Sequence, residues 1–475
     1  MQPTHPYRWL LAGVLFALLL PSCKKRDTPA PQGTGNINDS IFFIFKDIYL
    51  WTDVIPDSAT FRPHSYSSTN TMFEALTQFK KNDAGATLDR YSFLDDGTTS
   101  RALQEGIVGN VGFEVGFQTD TTIYVVYVYP GSPASKAGVK RGWKVTTING
   151  VSKFNYQDNA TNDLLNQSLG GTNASFSFLK PDGNTQTSTL SAVDYNLDPI
   201  LYSNIFDFNG TKVGYFVFNN FVALEDVKPK MDSIFTAFTN AGIKNLVVDL
   251  RYNGGGLLET AEYLANKLVP AAKSNTVMYT QSFNNNVNTD NYSAYFKNMK
   301  ARPNYPAINW TDIFHNEATQ YKTATFKKQG ALELSKISFL ATHNTVSASE
   351  LLYNVLKPSM NPALIGRQTY GKPVGFINIT FGQYDMYAAC FQTFNSAGEG
   401  NYFDGLPPTV DVRDDYTTDW GDLSDPLLHS ALLDMGIPSN QLGRMALLST
   451  NRLGVMVNAL RGATFRGMIE NRINR

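Results

Sequence analysis

The sequence predicts a multidomain α/β protein with a helical amino-terminal domain, a β-rich domain, and a layered α/β core built on a mixed or parallel sheet. Three observations lead there. A chain of 475 residues is longer than one hydrophobic core ordinarily supports. Apolar residues recur at helical spacing near the start, alternate with a period of two after residue 103, and switch between the two periods after residue 196. The composition, with 31 Phe, 24 Tyr and a net charge of -1, is that of a globular protein and gives no sign of a nucleic-acid partner.

Residues 1–23 read as an export signal. His5 and Arg8 give a weakly basic start, and Leu10 to Leu20 is an apolar run too short to span a bilayer. It ends in Leu20-Pro21-Ser22-Cys23, which resembles a bacterial lipoprotein cleavage box with an unusual proline. Lipidation at Cys23 would add more than one acyl chain, each buried CH₂ contributing about 0.8 kcal/mol, enough for stable anchoring. The expected location is the bacterial cell envelope, at an outer membrane facing the periplasm or the surface, because Lys24 and Lys25 carry no obvious inner-membrane retention signal. Residues 24–36 read as a flexible linker. Only Cys390 then remains, in an apolar strand-like run, and reads as a buried structural thiol.

In the helical domain, residues 37–102, Asp39 can cap a helix carrying Ile41, Phe42, Phe45, Ile48 and Tyr49, and a second helix covers Met72 to Lys80. Residues 103–182 alternate as strands, for example Thr122 to Tyr129 and Ala174 to Leu179. Between these strands a Pro130-Gly131 turn leads into a short helix near Pro133, a stop at Gly138, and an Asn149-Gly150 turn. This pattern resembles a PDZ domain, in which Gly112, Phe113, Glu114 and Val115 occupy the carboxylate-binding loop that receives a peptide terminus.

From 196 to 435 strands and helices alternate. Val213 to Asn219, Asn245 to Leu250, Ile337 to Ala341 and Ala363 to Ile365 read as strands. Helices follow Pro229 (placed in a first turn), run from Leu257 to Leu268, and run from Ser347 to Leu356. Residues 276–330 interrupt this order as an insertion, either a lid over the site or a surface segment. Residues 436–475 form a basic tail, with Arg444, Arg452, Arg461, Arg466, Arg472 and Arg475, read as solvated or partly disordered.

The chemistry rests on Val346-Ser347-Ala348-Ser349-Glu350 and Thr369-Tyr370-Gly371-Lys372. A serine beside a neutral lysine is a nucleophile with its own base. A lysine, with a reference pKa of about 10.4, needs desolvation to act near neutral pH. Standing alone, Ser347 would read as a helix cap. The sequence has no Gly-x-Ser-x-Gly elbow, and its five histidines form no His-Glu-x-x-His motif or Cys/His cluster, so no metal or other cofactor is expected. Gly366 to Lys372 mimics a phosphate loop, but Pro373 stands where a Ser or Thr is needed, so no nucleotide is expected.

Together with Asp249-Leu250-Arg251-Tyr252-Asn253-Gly254-Gly255-Gly256 and Asp89-Arg90-Tyr91-Ser92, these segments resemble the carboxyl-terminal processing (tail-specific) serine peptidases. The resemblance implies a core of the ClpP/crotonase type and an endopeptidase acting on proteins with exposed carboxyl-terminal tails. It implies Ser347 as nucleophile and Lys372 as general base. The oxyanion donors would be the amides of Ala348 and of Gly256 or Gly255, with Asp249 and Arg251 locking the turn. Many members carry a Gln four residues after the lysine, where this chain has Phe376, and the Gly256-to-Ser347 interval is long. Two other readings stand beside this one: a catalytically weak or inactive peptide-binding protein on the same scaffold, and a hydrolase of non-peptide esters.

Overall fold

The computed structural model describes residues 36–301, 308–446, 455–456 and 467–470. The signal segment 1–23, Cys23, linker residues 24–35 and most of the tail beyond 446 lie outside them.

The core is a six-stranded mixed sheet in the order Val410–Asp411, Ala363–Gly366, Lys336–Ala341, Asn245–Asp249, Thr211–Phe218, Ile200–Phe208. The first five run parallel and the last is antiparallel. Period-two alternation sends Phe216 and Phe218 to one face and Tyr215 and Val217 to the other. Helices Leu224–Ala241, Leu258–Leu268 and Ala348–Met360 belong to the first layer, and Pro426–Asp434 covers the second. Asn245–Asp249 and Lys336–Ala341 are parallel neighbours, so the glycine turn after one and the Ser347 loop after the other leave the sheet side by side. Loops at the carboxyl edge of parallel strands are where open α/β sheets place ligands.

A second six-stranded sheet has the order Gly255–Leu257, Gly467–Glu470, Val374–Ile377, Phe391–Asn395, Val277–Phe283, Thr323–Thr325. The β-rich domain is a third sheet, Val455–Met456, Phe113–Thr119, Thr122–Val128, Lys144–Ile148, Ala174–Leu179, Thr185–Leu190, with its own core around Phe113, Val125, Phe176 and Leu165. Its expected turn is present: Asn149 and Gly150 both have positive φ, 50° and 81°, and Ile148 and Val151 exchange backbone hydrogen bonds across it.

Several expectations change. The first helix, Ile37–Ile48, is capped by Asn36, whose side chain accepts from Asn38 N–H, and Asp39 sits inside the first turn. The next expected helix is Thr69–Thr77, and Phe93–Asp95, inside the stretch expected to be helical, is a strand paired with Tyr384–Tyr387. Pro229 lies in the interior of its helix, which begins at Leu224, where Glu259 takes the Leu224 N–H. The expected insertion is structural: Val277–Phe283 is a sheet strand, and Val287, Tyr292, Phe296, Trp310 and Phe314 are buried in the main core. Its Ser293 N–H and Oγ both bond Asp47 of the first helix, with the hydroxyl at 2.6 Å. The tail also departs from the solvated reading, because Val455–Met456 and Gly467–Glu470 are strands in two sheets.

Candidate active site

Ser347 is the residue before helix Ala348–Met360 and holds φ 63°, ψ -109°, a conformation that non-glycine residues rarely adopt. Its Oγ lies 3.5 Å from Lys372 Nζ, and both side chains are 0 % exposed. The clamp that joins their two segments is Glu350. One carboxylate oxygen accepts from Ser347 N–H at 2.7 Å and Lys372 N–H at 2.9 Å; the other accepts from Gly371 N–H at 2.7 Å and Thr369 Oγ at 2.5 Å. Burial lifts the Glu350 pKa, and these four donors oppose the lift. The Ser-x-x-Glu spacing of a capping box was the readable signal for half of this arrangement. Its second half, the reach to residues 369–372, follows only from the fold.

Lys372 is drawn well below the ordinary lysine pKa by burial, while Asp89, Glu350 and Cys390 pull it the other way. Its Nζ lies 3.6 Å from the centroid of the Phe376 ring. The residue that replaces the expected glutamine is therefore an aromatic floor under the amine. Such a face favours the charged ammonium by about 0.5–2 kcal/mol. Taking an ammonium out of water costs several kcal/mol, so burial outweighs the ring and the lysine pKa falls.

The loop carrying Lys372 is held from the helical domain. Tyr91 Oη donates to Gly371 O at 2.7 Å, and Arg90 donates to Tyr370 O at 3.0 Å and Phe403 O at 2.9 Å. Asp89 Oδ1 in turn accepts from Tyr91 and Ser92 N–H. This gives Asp89-Arg90-Tyr91-Ser92 a mechanical role.

The glycine turn is tied to the serine through Asn253, whose carbonyl accepts from Val346 N–H at 3.0 Å and Ser349 Oγ at 3.1 Å. The Asn253 side chain takes the Gly255 N–H at 2.9 Å, which removes Gly255 from the two expected oxyanion donors and leaves Gly256. Gly256 has φ 141°, and a Cβ there would stand 2.2 Å from Phe221 O. Phe221 N–H donates to Gly255 O and Leu257 N–H donates to Phe221 O, so the N–H and C=O of Gly256 itself face the opposite edge. Ala348 is the first residue of its helix, where an N–H has no intrahelical acceptor.

Arg251 is wholly buried and pairs with Asp249 at 2.7 Å and with Asp414 and Asp425 at 2.8 Å each. Arg141, from the β-rich domain, enters the same cluster 3.6 Å from Asp414 and donates to Tyr252 Oη at 2.8 Å and Val126 O at 2.6 Å. Asp249 and Arg251 thus hold the turn, as expected. In the β-rich domain Gly112 has φ 87° and its carbonyl accepts from Tyr129 N–H, while Phe113, Glu114 and Val115 are buried along the strand that follows. Cys390 is buried and accepts from Ile377 N–H at 3.2 Å.

The sequence profile described as Peptidase family S41 matches residues 212–412, and that of the Peptidase S41 N-terminal domain matches residues 36–93. Together they span more than half of the chain. The chain belongs to peptidase family S41. Among curated relatives, a carboxyl-terminal-processing protease of Picosynechococcus is 24% identical over 272 residues, covering 56% of this chain and 55% of the relative. The carboxy-terminal processing protease CtpB of Bacillus subtilis is 22% identical over 330 residues, covering 68% and 60%. The match thus spans little more than half of these relatives' length. A solved putative S41 protease from Bacteroides fragilis shares the fold, with a TM-score of 0.59 at 22% identity, covering 84% of this chain and 97% of that one.

Proposed function

We propose that this S41 chain is a serine endopeptidase that cuts polypeptides near their carboxyl-terminal tails with a Ser347–Lys372 dyad. The observation that carries the reading is the pairing of a strained serine with a wholly buried lysine at 3.5 Å, its pKa pulled down by burial. Ser347 Oγ attacks the scissile carbonyl carbon while Lys372 Nζ takes its proton. The developing oxyanion accepts from the amides of Ala348 and Gly256. The lysine passes the proton to the leaving amine as the carbon–nitrogen bond breaks, leaving an acyl-serine. Water attacks that ester, gives its proton to Lys372, and Ser347 recovers a proton as the new carboxyl terminus leaves.

Tail recognition belongs in this reading to the PDZ-like domain, at Gly112 to Val115. Anchoring belongs to Cys23, and a Cys23→Ser chain is expected in the soluble fraction instead of the membrane fraction. The competing reading, a weakly active or inactive binder, draws on Phe376, which offers no hydrogen bond to orient the amine. The test is cleavage of a denatured protein with and without its last few residues. Wild type is expected to prefer the tailed form and Ser347→Ala to cut neither; equal turnover by the mutant overturns the assignment.

A further inference from the structure

Two edges are suited to an incoming peptide strand, and the chain's own carboxyl-terminal segment lies on both. The first is the free side of Phe113–Thr119, where Val455 pairs with Phe117 and Met456 with Gly116, antiparallel and heading toward Gly112. That is the direction in which a peptide would approach the carboxylate loop. The second is the slot between Gly255–Leu257, which carries the oxyanion glycine, and Val374–Ile377, which follows Lys372 directly. Gly467–Glu470 fills it, parallel to both walls, with Met468 opposite Gly256 and Ile469 opposite Phe376. Adjacent strands sit about 4.8 Å apart, so the slot is one strand wide. Phe221 uses the other edge of the Gly255–Leu257 strand. In a parallel ladder of this register the Gly256 N–H therefore points at the carbonyl of Gly467, and the Ile469 N–H points at the carbonyl of Gly256.

We propose that residues 467–470 are a cis-acting occupant of the substrate strand position, an extended peptide laid across the catalytic slot that must leave before a polypeptide substrate enters. The proposal rests on the endopeptidase reading for what the slot binds. Two further observations support it. Ser347 and Lys372 are completely buried, although a proteolytic nucleophile has to meet a polypeptide. Val455–Met456, from the same carboxyl-terminal region of the sequence, lies on the recognition edge of the β-rich domain. A tethered ligand competes at an effective concentration that reaches millimolar for short flexible tethers, so even a weak strand suppresses binding from solution.

The test keeps the full chain and replaces Ile469 by proline, which removes the N–H facing Gly256 and cannot continue the ladder. Against an unstructured polypeptide, Ile469→Pro is expected to lower KM by about threefold or more with kcat little changed. A synthetic peptide of residues 463–475 added to the variant is expected to raise KM again. In parallel, hydrogen exchange on the Ser347→Ala chain is expected to show protected amides within 467–470, lost when Ile469→Pro is added. An unchanged KM in two active enzymes overturns the proposal, and so does exchange of these amides at unstructured rates in Ser347→Ala. If neither chain turns over and Ser347 takes no acylating probe, the endopeptidase reading fails, and the exchange result decides the occupancy on its own.

Discussion

In the dyad reading, stability is given up at Lys372 so that its amine can act as a base. A lysine whose folded pKa is depressed binds fewer protons in the folded state than in the unfolded chain. Between its lowered pKa and the ordinary lysine value, stability from this group therefore rises with pH. Activity should rise through the lowered pKa, where the amine loses its proton, at a pH below the ordinary lysine range. Two substitutions separate these effects. Lys372→Met should abolish turnover, raise the melting temperature at pH 7 and flatten the rise of stability with pH. Lys372→Arg should be inactive because the guanidinium stays charged; turnover by the Arg chain would remove Lys372 from the role of base. Both the serine and the lysine are legible in the sequence as short segments. The Phe376 ring beneath the amine is not, because a residue four positions along a strand-like run carries no sign of which face it presents.

The elements around the dyad act as braces, and each can be tested apart from the chemistry. Tyr91→Phe removes the hydroxyl that holds Gly371 O and should cost about 1 kcal/mol of stability, lowering kcat more than KM because only the base is displaced. Gly256→Ala should be far more damaging. A Cβ 2.2 Å from Phe221 O displaces the donor strand, and losing one oxyanion donor costs about 10²–10³ in kcat. Circular dichroism alongside the kinetics checks that the variant is folded. The glycine run, the strands at 245–249 and 336–341 and the helix after Ser347 follow from periodicity and turn chemistry, so they are readable one by one. What escapes is long-range: Glu350 bonding residues 369–372, the Asp89 to Ser92 segment gripping a loop roughly 280 positions later, and the 276–330 stretch packing on the first helix. Such contacts are fixed by sheet order, which a local pattern does not encode.

Across the whole molecule, the Arg251–Arg141–Asp cluster joins the glycine turn, the 414–425 segment and the β-rich domain. Removing Arg251 leaves Asp249, Asp414 and Asp425 buried beside a single arginine. Arg251→Met should therefore destabilise by about 3–5 kcal/mol, read as a large fall in the denaturant midpoint. Arg141→Met should weaken the attachment of the β-rich domain and separate its melting from that of the core in calorimetry. The tail was the least legible part at this scale, because its arginines suggest a solvated segment while its strands depend on empty edges elsewhere in the fold. The central claim remains the Ser347–Lys372 dyad, and its most direct measurement is labelling of the full chain with a phosphonylating serine probe followed by peptide mapping. One adduct is expected, on Ser347, forming faster as pH rises and absent from the Lys372→Arg chain. Labelling that spares Ser347, or that proceeds equally in the Lys372→Arg chain, would contradict it.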